Sequence, residues 1–449
     1  GYDLPIALGI IAASGQKQLP GLGRYLIMGE LGLDGSVRPV QGALPYAELS
    51  VKQGLEGCIL PLDSALETVE YRRQTRIYGV NCLQDALRIL EGSEDTDGLL
   101  IWNSTEYRDR LQSMSKGAAT RGDMMDFAEI IGQEGAKRGA EIALAGGHNI
   151  ILIGPPGSGK SSLAKAMAGI LPPMTLEESL ETSKIYSISG VSGGAAGLMR
   201  QRPFRSPHYS ASLAAIVGGG GGDGVLPGEV SLAHNGVLFL DEFAQMPKSV
   251  IEALRGPVED RRVTISRLRT KITYPASFML VAACNPCPCG YYNDPTHECR
   301  CNQRQILKYQ HRVSGPLLDR IDIQCGVAAV KPDDLDSLKP GESSAAIRAR
   351  VVAARALQRE RYRGMPGIST NADAKSRDLK DICRLDEKAA RKFREQLERL
   401  QFSARAYDRV LRVARTCADL KGRADVAEED VFRAAQYRQL DNGSDSFWA

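Results

Sequence analysis

Gly154, Pro155, Pro156, Gly157, Ser158, Gly159, Lys160 and Ser161 spell G-x-x-x-x-G-K-S, directly after the apolar run His148-Asn-Ile-Ile-Leu-Ile and directly before a helical pattern. No other feature constrains the fold as tightly. A loop whose backbone N–H groups converge on phosphate needs glycines for its turns, and the helix that follows aims the positive end of its dipole at the same point. The run therefore calls for a strand, a tight loop and a helix in that order. In such a loop Lys160 supplies charge to the β- and γ-phosphates and the Ser161 hydroxyl is a Mg²⁺ ligand; Ser162 is counted among the nucleotide contacts. A Gly-rich turn before an ordinary helix is the competing reading, and the strand and helix on either side weigh against it.

Continuous apolar runs with helical patterns between them mark buried parallel strands. Two more such runs follow, Gly236-Val-Leu-Phe-Leu-Asp and Phe278-Met-Leu-Val-Ala-Ala-Cys-Asn. The first ends in Asp241 and Glu242. P-loop hydrolysis needs a carboxylate on Mg²⁺, here Asp241, and a group that orients the attacking water, here Glu242. A strand ending in Asp-Glu is common, and it gains meaning only beside the P-loop. The second run ends in Asn285, whose amide could orient water near a γ-phosphate. Gly315-Pro-Leu-Leu-Asp-Arg320-Ile-Asp presents an arginine that could reach the γ-phosphate of a neighbouring subunit. Spacing alone favours a surface ion pair of Arg320 with Asp319 or Asp322.

A chain of 449 residues is too long for one ordinary core, so two or three domains are expected. Residues 1–92 alternate short apolar runs with Gly-containing turns and helical patterns, a small α/β domain. Residues 93–122 are polar and weakly patterned and read as a linker. Residues 123–332 hold the α/β P-loop core. Strands vanish over 333–449, where helical periodicity takes over; Asp425-Val-Ala-Glu428 has the form of a capping box opening the last helix, and Gly422 suits a helix stop. Hydrophobic residues at 43% and charged residues at 25% are ordinary for a soluble globular protein. A net charge of +3 is too small to imply nucleic acid, so any such partner must be argued from local clusters. With no run of about 18 apolar residues, no membrane span is expected. No export signal is visible, which points to the cytoplasm. Gly1 opens inside what reads as the middle of a domain, so upstream sequence is expected.

Five of the ten cysteines, Cys284, Cys287, Cys289, Cys299 and Cys301, fall in one short hydrophilic stretch. In a reducing compartment such a cluster reads as metal binding before disulfides. Cys287-x-Cys289 and Cys299-x-Cys301 offer four soft ligands for tetrahedral Zn²⁺, although C-x-C is tighter than the usual C-x₂-C. Cys284 lies on the buried strand before Asn285; His297 and His311 are possible substitutes. Unliganded thiols are the alternative.

Two basic segments could meet a polyanion. Arg261-Arg262-Val-Thr-Ile-Ser-Arg267-Leu-Arg269-Thr-Lys271 alternates cations with apolar residues, as a hairpin with one charged face would. Arg202 and Arg205 sit in a cluster of arginines with Phe204 and Tyr209. Arg and Lys on phosphates give sequence-independent affinity, and an aromatic ring can stack on a base. Either segment alone is more simply a solvated edge. His208 and His234 are more simply structural.

From about Asp126 to Leu440 the chain resembles magnesium-chelatase-like AAA+ ATPases, and more narrowly the ComM/YifB family. The resemblance rests on Gly146-Gly-His-Asn-Ile, Pro227-Gly-Glu-Val-Ser-Leu-Ala-His-Asn-Gly-Val-Leu-Phe-Leu-Asp-Glu, Cys284-Asn-Pro-Cys-Pro-Cys-Gly-Tyr-Tyr, Ser314-Gly-Pro-Leu-Leu-Asp-Arg and Ser403-Ala-Arg-Ala-Tyr-Asp-Arg-Val. It implies sensor 1 at Asn285, a trans-acting arginine finger at Arg320, and sensor 2 at Arg405 on a lid helix. It further implies a ring of subunits, most simply a hexamer, with a helix-2 insert near 181–222 and a pre-sensor-1 hairpin near 259–272 lining the pore. Residues 1–92 resemble the later part of a Lon-protease-like, S5-fold domain through Gly29-Glu-Leu-Gly-Leu-Asp-Gly-Ser-Val-Arg-Pro-Val. The regions that would carry the Ser-Lys dyad read Gly1-Tyr-Asp-Leu and Gly42-Ala-Leu44-Pro45, so proteolysis is not expected. The activity implied is ATP- and Mg²⁺-dependent DNA translocation driving branch migration in natural transformation, with a recombinase as a possible partner. A chelatase-type subunit remodelling a protein is the alternative.

Overall fold

The computed structural model describes residues 1–109, 125–191, 198–220, 225–266, 271–313, 315–328, 341–400 and 404–438, without side-chain placement for 396–400 and 404. They form two compact units, one from residues 1–122 with 174–201 and the other from 123–173 with 202–449.

The second unit is built on five parallel strands: β1 Ile150–Ile153, β2 Phe204–Arg205, β3 Val237–Leu240, β4 Met279–Cys284 and β5 Ile323–Gly326. Their order across the sheet is β5-β1-β4-β3-β2. All four residues of β1 and of β3 and all six of β4 are buried. This two-sided burial is why these segments read as unbroken apolar runs rather than as alternation. Helices cover one face: Glu134–Gly146, the P-loop helix Lys160–Ile170, and Ser344–Arg361 of the helical C-terminal part share a core with alternate strand residues such as Ile150, Leu152, Val281 and Ala283. The other face packs Ile151, Ile153, Leu238, Leu240 and Leu280 against Phe243, Val250 and Leu254.

Beyond β5 the described residues form helices Ser344–Arg361, Glu387–Leu400, Ala404–Leu420 and Glu428–Gln436. Gly422 takes a left-handed φ of 67° just past the third of these, as its position in the sequence requires. The last helix starts differently from expectation. Its N-cap is Ala427, whose N–H donates to Asp430 Oδ2 at 3.1 Å, so Asp425 is not the cap. A carboxylate three residues inside the helix can satisfy the entering N–H whichever residue precedes it.

In the first unit, strands Tyr25–Ile27, Gly57–Pro61 and Arg76–Val80 form a parallel sheet flanked by helices Asp3–Ala13, Ala43–Lys52 and Leu83–Glu91. Two outcomes depart from the sequence reading. Part of the segment read as a linker is core: Ile101 is fully buried, and Trp102 and Tyr107 pack beside it. Three apolar side chains in a polar stretch are invisible to periodicity but sufficient to dock it. The first half of the expected helix-2 insert also belongs here. Helix Leu176–Ser189 packs on Ala43–Lys52, with Lys184 on Glu48 at 2.8 Å and Ser187 Oγ donating to Glu67 at 2.8 Å.

Candidate nucleotide site and cysteine loop

The P-loop leaves the C-terminal end of β1, where Gly154 N–H donates to the Cys284 carbonyl at the end of β4. A Cβ on Gly154 would stand 2.0 Å from the Val327 carbonyl oxygen, so only glycine fits. Gly157 and Gly159 turn the chain with φ of 75° and 86°. Pro155 and Pro156 have no N–H, so the donors available to phosphate begin at Gly157 and run into the first turn of Lys160–Ile170. Ser161 and Ser162 lie in that turn, both half-buried.

Lys160 is buried, and its ammonium donates to the Gly154 and Pro155 carbonyls at 2.8 and 2.7 Å and to Ser158 Oγ at 3.3 Å. Burial pulls its pKa below the ordinary lysine value, while Cys284 and the Asp241 carboxylate oppose the shift. The loop thus holds its cation where an incoming phosphate would exchange for backbone carbonyls. Asp241 follows β3 and faces the P-loop: its Oδ2 accepts from Ser161 Oγ at 2.5 Å and its Oδ1 from the Glu242 N–H at 2.9 Å. A hydroxyl and a carboxylate in contact at the start of the P-loop helix could supply the two protein ligands of a Mg²⁺–ATP site. Glu242 has φ 49°, a left-handed conformation uncommon for a residue with a side chain.

Asn285 follows β4 and sits half-buried beside Gly290. Arg320 is largely buried within the chain itself. Its guanidinium pairs with Glu259, donating from Nε at 2.8 Å, and Nη1 donates to the Pro316 carbonyl at 2.6 Å. Neither Asp319 nor Asp322 is the partner of that pair. Asp322 serves another network: Oδ2 accepts the Asn149 N–H at 3.2 Å and Oδ1 accepts from Arg409 at 2.6 Å. Asn149 Nδ2 and Arg409 Nη1 both donate to the Arg320 carbonyl, at 3.2 and 3.3 Å. His148 completes the cluster, with Nε2 2.8 Å from Thr416 Oγ1 and Nδ1 3.6 Å from Asp322. Burial raises the Asp322 pKa, but Arg409, the His148 hydrogen bond and Arg412 outweigh it and hold the carboxyl well below the usual range. Arg405 stands exposed in the first turn of Ala404–Leu420, while Arg409 and Arg415 further along are drawn into buried networks.

The sequence reading therefore assigned no role to Glu259, Asn149 or Arg409, and it offered Asp322 to Arg320 rather than to Arg409. Asn149 and Arg409 do lie in two of the quoted motifs, Gly146-Gly-His-Asn-Ile and Ser403-Ala-Arg-Ala-Tyr-Asp-Arg.

From Asn285 to Asn302 no helix or strand forms. Even so, the Sγ atoms of Cys287, Cys289, Cys299 and Cys301 all lie within 4.8 Å of one another. Cys287, Cys289 and Cys299 stand 3.3, 3.5 and 3.8 Å apart in pairs, and none is in a disulfide. Tetrahedral Zn²⁺ with bonds of about 2.3 Å needs sulfurs about 3.8 Å apart, so the four-cysteine cluster is compatible with structural zinc. Burial of Cys289 is outweighed by the Tyr291 and Arg300 N–H groups and the neighbouring thiols, which bring its thiol down to about 6. Cys284 is outside the cluster, buried on β4. His297 stacks on Tyr291, and His311 caps the helix Gln303–Gln310; neither joins the thiols.

The basic hairpin forms from strands Arg262–Ser266 and Lys271–Pro275. Val263 and Tyr274 point inward, while Arg262, Thr264, Lys271 and Thr273 are exposed. Arg267 and Arg269 lie outside the described residues. Arg261 turns back at φ 56°, with Nη1 donating to the Phe278 carbonyl at 2.6 Å and Nη2 3.3 Å from Asp373. Arg202 donates to the carbonyls of Pro172 and Asn235, and Arg205 forms a two-bond pair with Glu229. His208 bonds Ser210, and buried His234 accepts the Ser277 N–H at 3.0 Å.

Comparison with known families agrees with this geometry. The family described as magnesium chelatase, subunit ChlI, matches residues 126–335, its C-terminal part matches 341–438, and a third ChlI family matches 1–64. YifB of Salmonella typhimurium is 40% identical over 441 residues, covering 98% of this chain and 82% of the relative. The competence protein ComM of Haemophilus influenzae is 39% identical over 440 residues with the same coverage. The DNA replication licensing factor mcm-6 of Caenorhabditis briggsae is 26% identical over 249 residues, 51% of this chain and 27% of that protein. With P-loop, Asp-Glu strand and five-stranded order in place, this chain belongs to the ComM/YifB family of magnesium-chelatase-like AAA+ ATPases.

Proposed function

We propose that the chain is one subunit of an ATP-driven DNA translocase, a ring and most simply a hexamer, that promotes branch migration during recombination of incoming DNA. The observation that carries the reading is the link between hairpin and finger. Glu259 lies in the short helix Arg255–Asp260 that leads directly into the hairpin, and it is the partner of Arg320. If Arg320 reaches the γ-phosphate of a neighbouring subunit, it must leave Glu259. The base of the hairpin then senses the nucleotide next door. Exposed Arg262 and Lys271 on that hairpin are suited to phosphate backbone, which is bound without regard to sequence. The names of two relatives, a competence protein and a replication licensing factor, point the same way.

In this scheme Lys160 and the P-loop N–H groups hold the triphosphate, Ser161 and Asp241 hold Mg²⁺, and Glu242 with Asn285 orients water. Arg320 stabilises the transition state from the adjacent subunit, and Arg405 approaches from the lid. Structural Zn²⁺ sits on Cys287, Cys289, Cys299 and Cys301. Among the described residues no helix is long and apolar enough to cross a membrane. A recombinase is the natural partner for a motor that extends joints already paired.

The matched ChlI families favour a second reading, a subunit that remodels a protein partner. DNA separates the two. Synthetic Holliday or D-loop junctions should stimulate ATP hydrolysis and be migrated by the wild type, and not by Lys160→Ala or Glu242→Gln. Hydrolysis that ignores DNA, with no movement of the junction, would sink the translocase reading and favour the second.

A further inference from the structure

The cysteine cluster touches the nucleotide site. Gly290 lies between Cys289 and Cys299, with φ 90° and its N–H donating to the Cys287 carbonyl at 3.0 Å. A Cβ added there would stand 2.5 and 2.6 Å from Cδ and Cγ of Pro156, inside the P-loop, and 3.7 Å from Asn285 Nδ2. The loop backbone is thus seated directly on the P-loop, with the candidate water-orienting amide at its edge. The same loop is tied to the helix Gln303–Gln310, where Gln310 Nε2 donates to the Pro286 carbonyl at 3.2 Å.

A long stretch without secondary structure loses about 1–2 kcal/mol of backbone entropy per residue when ordered and needs a cross-link or a core to hold it. This stretch has no disulfide and little apolar packing: Cys289, Cys299 and Cys301 are only partly buried, and most residues from Asn293 to Arg300 are exposed. What it has is four thiols at metal-ligand spacing.

We propose that Zn²⁺ on Cys287, Cys289, Cys299 and Cys301 is the brace that holds Gly290 against Pro156 and Asn285 at the phosphate site, so that metal occupancy sets nucleotide affinity. The metal is then more than a local fold element: it is a condition for the P-loop to keep its shape. Pro156 is the contact point because a proline offers a rigid ring and no donor to phosphate, so pressure there reaches the loop without competing for the ligand. The inference rests on the ATPase reading and adds a determinant to it.

The test uses the full chain and two readouts independent of hydrolysis: zinc content by mass spectrometry of the metal, and the Kd for a fluorescent ATP analogue in excess Mg²⁺. The wild type should carry one zinc per chain. Cys299→Ser/Cys301→Ser should lose it and bind nucleotide about tenfold more weakly while retaining the far-UV dichroism of the wild type. Gly290→Ala should keep its zinc and still lose affinity, since the added methyl meets Pro156. Stripping the wild type with a zinc chelator should weaken binding, and Zn²⁺ alone should restore it. Wild-type protein without zinc, or zinc-free protein with unchanged Kd, overturns the proposal. So does a Gly290→Ala chain that binds as the wild type does. Lys160→Ala must abolish binding in the same assay; if the wild type binds no nucleotide, the ATPase reading has failed and the brace falls with it.

Discussion

The nucleotide site and the basic hairpin use their charged residues in opposite ways. At the P-loop, Lys160 is buried and satisfied by carbonyls of its own loop, and Asp241 by Ser161, so the groups that must meet ATP are held in place before it arrives. On the hairpin, Arg262 and Lys271 stand in solvent, while Arg261, at its base, and Arg202 and Arg205, elsewhere in the same unit, are already bonded to carbonyls or carboxylates. Preorganisation suits a ligand of one shape whose phosphates must be gripped to within fractions of an ångström. A moving polyanion is served better by cations that can let go. Reading every arginine in the two basic segments as a DNA contact would mix the two kinds.

The comparison can be broken at several points. The largest effect should come from Lys160→Ala, which removes the only cation inside the P-loop and should abolish nucleotide binding in a direct titration. Arg320→Ala should lower DNA-stimulated turnover by about 10³-fold or more, as loss of an arginine finger does, while leaving ATP affinity nearly unchanged. Mixing Arg320→Ala with Lys160→Ala subunits should restore part of the activity, because each repairs a different half of a shared site; no recovery at any ratio would count against a finger acting in trans. Glu242→Gln should cost about 10²–10⁴-fold in hydrolysis and trap bound ATP.

Asp322→Asn tests the network behind Arg320. Removing one partner of a buried charge pair costs about 3–5 kcal/mol, and Arg409 would be left without its carboxylate. The pH dependence follows from the depressed pKa. Asp322 stays ionised when folded at a pH where the unfolded carboxyl, near about 3.9, takes up a proton. Its contribution is therefore fully present above about pH 5 and is lost as pH falls. The stability gap between wild type and variant should shrink through that acid range, and a constant gap in denaturant melts would contradict the assignment. The smallest effect belongs to the hairpin. Arg262→Glu/Lys271→Glu should weaken DNA binding about tenfold and lower the slope of log affinity against log salt by about 2, whereas Arg205→Ala should leave the slope alone because that guanidinium is spent on Glu229.

Much of the site was legible because its parts are local. A P-loop encodes its geometry in eight consecutive residues, and strands buried on both faces announce themselves as apolar runs ending in Asp241, Glu242 and Asn285. The four zinc-spaced cysteines were visible for the same reason, being two pairs on one loop. The partner of Arg320 was not legible. Spacing offered Asp319 and Asp322, whereas folding supplied Glu259, distant in sequence. The packing of Ile101 and Trp102, and of the helix Leu176–Ser189 on Ala43–Lys52, was equally hidden, since no periodic pattern ties those residues to the elements they pack on.

By itself the amino-acid sequence determined what depends on neighbours along the chain: a P-loop, an apolar strand ending in Asp241 and Glu242, a run of paired cysteines and a helical C-terminal part. Only the tertiary structure decided that Ser161 meets Asp241, which cations stand in solvent, which carboxylate holds Arg320, and that Gly290 rests on Pro156. The reason is physical. Backbone turns and strand burial follow from short-range sterics and hydropathy, whereas the partner of a charge or the neighbour of a glycine depends on how distant segments pack.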